Sequence, residues 1–125
     1  MSEYRISYIT APVEVAEQIA NTLVVEGLAA CVNIVDKVRS IYRWQGQVEK
    51  ATESLLIVKG ATAKTKALID RVREIHPYEV PEIVSFDIDA GNQDYLDWLG
   101  GKEIVVDDSE LEEDEEVEAK PEADS

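Results

Sequence analysis

His76 is the only histidine in the chain, and its residue type is the one best suited to hold a metal ion. Imidazole suits copper, zinc and nickel. A stable site needs about three or four ligands, so His76 would need oxygens from Glu79 and Glu82, or donors from a second subunit. The competing reading is a structural imidazole that hydrogen-bonds at a helix end beside Pro77, where it is favourable. Cys31 is a soft ligand or redox thiol in principle. It lies in the apolar stretch Ala-Ala-Cys-Val, where a free cysteine packs as a small hydrophobe. Asp87 and Asp89 are two apart on an extended segment and share a face. Such a pair can bind a cation or hold a proton, although most such faces are simply solvated. Five large aromatics, Tyr42, Trp44, Tyr78, Tyr95 and Trp98, fit either a ligand cleft between subunits or an oligomer interface. With one histidine there is no nucleophile–base pair. No Gly-rich phosphate loop, CxxC pair or HExxH motif occurs either. The expected mode of action is binding rather than turnover, so the chain does not read as an enzyme.

Length and charge bound the setting for these groups. A chain of 125 residues, 45% hydrophobic, fits one domain with a modest core. The net charge of −15 is concentrated at the C-terminus. Residues 107–125 hold eleven of the 27 acidic groups and only one basic group, Lys120. Their low hydrophobicity and high charge predict a disordered acidic tail after a folded unit at 1–106. The folded part is mildly acidic, and its basic residues are scattered, which argues against a nucleic-acid binder. No apolar run of about 18 residues exists to span a membrane. A lone cysteine excludes an intramolecular disulfide framework. With no signal-peptide pattern in the first residues, a cytoplasmic location is expected.

The elements that would position these groups can be read in order. Tyr4–Ile9 predicts a first strand, ended by Thr10-Ala11-Pro12, with Pro12 at the first helical position. Ala16, Ile19, Ala20, Leu23 and Val24 form one apolar helical face, and Gly27 is a natural stop. Leu55–Val58 is a continuous apolar run, as expected of a central strand. Thr62 reads as the N-cap of a second helix with Leu68, Ile69, Val72 and Ile75 on one face, ended by His76-Pro77. Ile83–Ile88 predicts a fourth strand. Asn92 caps a short helix closed by Gly100-Gly101, and Glu103–Val106 adds a short edge strand. The order βαββαβ plus a C-terminal helix predicts an α+β, ferredoxin-like sandwich. Helices then cover one sheet face and leave the other open.

Ala29–Lys59 dominates this plan. It reads as one long β2–β3 hairpin turning near Gln45-Gly46. Arms of about 13 residues reach roughly 40 Å, more than a domain of this size can cover. The apolar character of the first arm switches face near Asp36-Lys37, which predicts either a bulge or bend there or burial of different faces before and after that point. The distal half would expose Ile41, Tyr42 and Trp44 on an open edge, an aggregation hazard unless another copy pairs with it. The hairpin alone therefore predicts an oligomer.

Three segments resemble the CutA family, which takes its name from divalent-cation tolerance: Leu28–Ile34, Ser40–Gly46 and His76–Glu82. Asn92–Leu99 is similar to that family's closing helix, and the resemblance covers residues 4–101. It implies a ferredoxin-like fold, a tight homotrimer built by the long arms, and a link to copper or another divalent cation, with no cofactor required. Some family members carry a cysteine just before Thr-Ala-Pro and paired histidines before Pro-Tyr. Here those positions read Ile9 and Ile75, so His76, with Glu79 beside it in sequence, is what remains of that metal set. The implied function is a trimeric protein responding to metal ions, with weak copper binding. The alternatives are a PII-type trimeric sensor of small molecules and a scaffold trimer without a ligand.

Overall fold

The computed structural model describes residues 2–102. The strand expected at Glu103–Val106 and the acidic tail lie outside the described residues. The elements are β1 (Tyr4–Pro12), α1 (Val13–Val25), β2 (Cys31–Trp44), β3 (Gln47–Ala61), α2 (Thr65–Ile75), β4 (Ile83–Asp87) and α3 (Gln93–Leu99). The sheet is antiparallel in the order β2-β3-β1-β4, which is the ferredoxin-like arrangement.

The core follows from two periodicities. Along β1 the odd positions Ser7, Ile9 and Ala11 are buried, while the even positions form the opposite face. Ile9 and Ala11 pack with Leu56 and Val58 of β3, with Ala16, Ile19 and Leu23 of α1, and with Leu68 and Val72 of α2. Val24, expected on the buried face of α1, is instead exposed. Eight residues at about 100° each bring it about 80° away from Ala16, off the edge of the apolar stripe. Gly27 ends α1 with φ +75°: Leu28 N donates to Leu23 O at 2.9 Å and Gly27 N to Val24 O at 3.0 Å. Those two bonds make a Schellman motif.

Two expected boundaries shift. β1 does not stop at Ile9 but runs on to Pro12, which pairs with Glu53. Pro12 is therefore not the first helical residue; its ψ of 142° places it at the N-cap. Thr62 does not cap α2. It opens a single 3₁₀ turn (Thr62–Lys64), and its hydroxyl donates to Ser2 O at 2.8 Å, tying that turn to the chain start. Asn92 does cap α3, its side chain accepting from Asp94 N at 3.1 Å.

The hairpin is as long as expected. β2 and β3 pair from Cys31↔Lys59 to Trp44↔Gln47, and the turn residues Gln45 and Gly46 both have positive φ, as a two-residue hairpin turn requires. β1 covers β3 only from Glu53 onward, so residues 39–52 project as two strands alone. Ile41 and Val48 are more than 60% exposed on that projection. The register slips between Val35 and Val38, where Lys37 has φ +64°. This is a one-residue bulge, and it turns the even positions of β2, apolar on both sides of it, from the face of Leu56 and Val58 to the opposite face. Before it Cys31, Asn33 and Val35 share the face of Leu55 and Ile57; after it Val38, Ser40, Tyr42 and Trp44 take that face. On the same face Tyr8 meets Phe86 edge-on at 5.1 Å, and Val84 and Phe86 are exposed.

Candidate functional site

The site lies where the hairpin leaves the sheet. Three pieces of chain converge there: the end of β1, the base of the β2–β3 arms, and the segment that follows α2. Pro77 forces His76 out of the helical region, and His76 adopts ψ 138°. The chain turns, and the imidazole swings inward until only 7% of the residue is exposed. Its Nε2–H donates to Thr10 O at 2.8 Å, and its Nδ1 accepts from Tyr78 N at 3.1 Å. These two bonds fix the tautomer. They also pin the segment to β1 and hold the Tyr78 ring 4.8 Å from the imidazole.

Tyr78 in turn reaches the hairpin. Its hydroxyl donates to Glu53 Oε2 at 2.8 Å. Burial, then the hydrogen bond and charge of Glu53, push the Tyr78 phenol up to about 12. Glu53 is only 5% exposed. Thr10 Oγ1 donates to Glu82 Oε1 at 3.3 Å and closes the other side. Between these pieces is a cleft of about 650 Å³, within the size range of small-molecule sites. Tyr42, Trp44 and Tyr78 supply its aromatic wall, and Glu53, Glu79 and Glu82 its carboxyl groups. No Lys, Arg or His side chain lines it among the described residues.

Five of the residues anticipated from the sequence thus meet in one place: Tyr42, Trp44, Tyr78, Glu79 and Glu82. Tyr95 and Trp98 do not join them. They stack on each other on α3 at 5.7 Å, with Lys59 Nζ 5.6 Å from the Tyr95 ring. Sequence reasoning misses Glu53 and Thr10. Glu53 sits in a polar stretch that reads as solvated arm, yet it shares parity with Leu55 and Ile57, and that alternation is the available signal.

The expected metal ligands do not assemble within one chain. Both nitrogens of His76 are already engaged, so this arrangement leaves no lone pair for a cation. His76 therefore takes the structural role weighed as its alternative. Among the described residues no three His, Cys, Asp or Glu side chains group closely enough to hold a metal ion. Asp87 is not paired with Asp89 in a cation site; its Oδ1 lies 3.2 Å from Arg5 Nε. Cys31 is not in the core as expected but half-buried on edge strand β2, opposite Lys59. Its strand parity points it to the face away from α1 and α2.

Residues 5–102 match the family model described as CutA1 divalent ion tolerance protein. The chain belongs to this family. It is 56% identical over 92 residues to the divalent-cation tolerance protein CutA of Thermus thermophilus, covering 73% of this chain and 89% of that one. To a CutA homolog of Xenopus laevis it is 47% identical over 95 residues, 75% of this chain but 63% of the frog protein. The chain therefore spans less than two thirds of that relative's length. A solved structure of the Thermus thermophilus divalent cation tolerance protein superposes with a TM-score of 0.77 at 52% identity, covering 79% of this chain and 97% of that one. A Nostoc protein described as PII-like CutA, in apo form, superposes at 0.74 with 39% identity, covering 78% and 94%. Among the described residues no helix is long and apolar enough to cross a membrane.

Proposed function

We propose that this protein acts by binding rather than turnover, as a cytoplasmic homotrimer in the response to divalent cations, with the cleft at the hairpin base as its binding site. The observation that carries this reading is the cleft itself: three aromatic side chains and three carboxyl groups line it. Copper association is weak and carried by Glu79 and Glu82 at the cleft, because His76 has both nitrogens committed. Two features support assembly through the arms: the two-stranded projection beyond Glu53 and the uncovered apolar face bearing Val84 and Phe86.

The test is a copper(II) titration by calorimetry on the full chain, the Glu79→Gln/Glu82→Gln double variant and His76→Ala. The acidic tail contributes equally to all three. Saturable binding at a fixed ratio, lost in the double variant and kept in His76→Ala, supports the reading. Identical isotherms for wild type and double variant refute it.

A further inference from the structure

From the surroundings of Glu53 we infer that the cleft takes a small organic cation, an ammonium or guanidinium group on a short carbon chain, with Glu53 as its counter-charge. The inference rests on the reading of this cleft as the binding site, and it names a different ligand class from a bare metal ion.

Glu53 is only 5% exposed, yet no cationic side chain among the described residues pairs with it. Its side chain's one hydrogen bond among those residues is from the Tyr78 hydroxyl to Oε2. Glu53 lines a cleft with no basic group in its lining among the described residues. A carboxylate in a cleft with no cation beside it is a ready acceptor for a charged donor, and a charge-assisted hydrogen bond is stronger than a neutral one. Two properties choose the kind of cation. A compact metal ion needs several donors brought together, and no group of three is available among the described residues. An ammonium or guanidinium group needs only one carboxylate, plus aromatic faces for its charge and its carbon chain. Tyr42 and Tyr78 supply those faces. A cleft of about 650 Å³ is also far larger than a metal ion and suits a ligand of several carbons.

The same positive charge could come from a basic side chain of a neighbouring copy, and the experiment separates the two sources. The full chain is titrated by calorimetry with putrescine and agmatine, and with butanediol as the uncharged counterpart of putrescine. Glu53→Gln is run alongside, and the mass of both proteins is followed by light scattering. Saturable binding of a diamine at one per chain is expected, with no heat from butanediol. Glu53→Gln should weaken binding by about tenfold or more, with its mass unchanged. The inference is overturned if neither amine saturates at millimolar concentration, if butanediol binds as well as putrescine, or if Glu53→Gln binds undiminished. It is also overturned if Glu53→Gln loses assembly with no amine present, since the cation would then be the neighbour's. Should Glu53→Gln fail to fold, the wild-type contrast between putrescine and butanediol still decides. If copper fails to saturate while the amines bind, the divalent-cation reading fails and this one stands; the opposite result sinks this inference alone.

Discussion

Replacing Tyr78 with Phe removes one oxygen atom and keeps the ring. The lost contact is the 2.8 Å hydrogen bond to Glu53 Oε2. Hydrogen bonds to charged groups contribute about 1.5–3 kcal/mol. Tyr78 is 37% exposed, so water replaces part of the loss, and the expected destabilisation is about 1–2 kcal/mol. The pH dependence has a definite sign. The fold raises the Tyr78 phenol from 10.0 to about 12, mainly by burial and then through Glu53. It therefore favours the neutral hydroxyl, and the stabilisation is complete below about pH 10 and disappears as the pH rises through about 12. Urea unfolding followed by tryptophan fluorescence, at one chain concentration because assembly couples to stability, measures the gap between wild type and Tyr78→Phe. The gap should be present at about pH 7 and close between about pH 10 and 12. Equal midpoints at neutral pH, or a gap that persists unchanged through about pH 12, would refute this account of the site.

Trp44→Ala should weaken assembly by about 2 kcal/mol or more if the indole anchors the arm against another copy. Light scattering across a dilution series reads this directly; wild type should hold the mass of three chains, and an unchanged variant would make Trp44 peripheral. Lys37→Val should destabilise by about 1–2 kcal/mol, because Lys37 has φ +64° and a β-branched residue tolerates the left-handed region poorly. Strand propensity alone forecasts the opposite, so a higher urea midpoint in Lys37→Val would reject the bulge argument.

Much of the fold is legible because its signals are local. Ala16, Ile19, Ala20 and Leu23 repeat at helical spacing, and Gln45-Gly46 carries the turn chemistry of a tight hairpin. The apolar switch near Asp36-Lys37 leaves a bulge and a change of buried face both open, and the pairing with β3 decides for the bulge. Boundaries are harder. Pro12 is acceptable both as a first helical residue and as an N-cap at the end of a strand, and its pairing with Glu53 decides between them. Thr62 has cap chemistry, but Ser2, 60 residues away in sequence, claims its hydroxyl. The site is half legible for the same reason. The aromatic and acidic residues stand out by type, whereas the burial of Glu53 depends on which strand lies opposite. His76 stands out as a ligand candidate because it is unique, yet its partners, Thr10 O and Tyr78 N, are backbone groups that no motif reveals.

The bulge between Val35 and Val38 is also a reserve of length. Across it β2 sets two residues, Asp36 and Lys37, against Ser54 alone in β3. Loss of the Lys37 codon would leave Val35 opposite Leu55 and Val38 opposite Glu53, now in unbroken pairing. Every pair out to Trp44↔Gln47 would survive, and Tyr42 and Trp44 would keep facing the cleft. What disappears is the local bend and the extra twist that a bulge adds to the arm. Gain of one residue has no such outlet, because the slack is already in use: side chains beyond the insertion would turn to the opposite face. The first arm of the hairpin therefore accepts a gap more readily than an insertion.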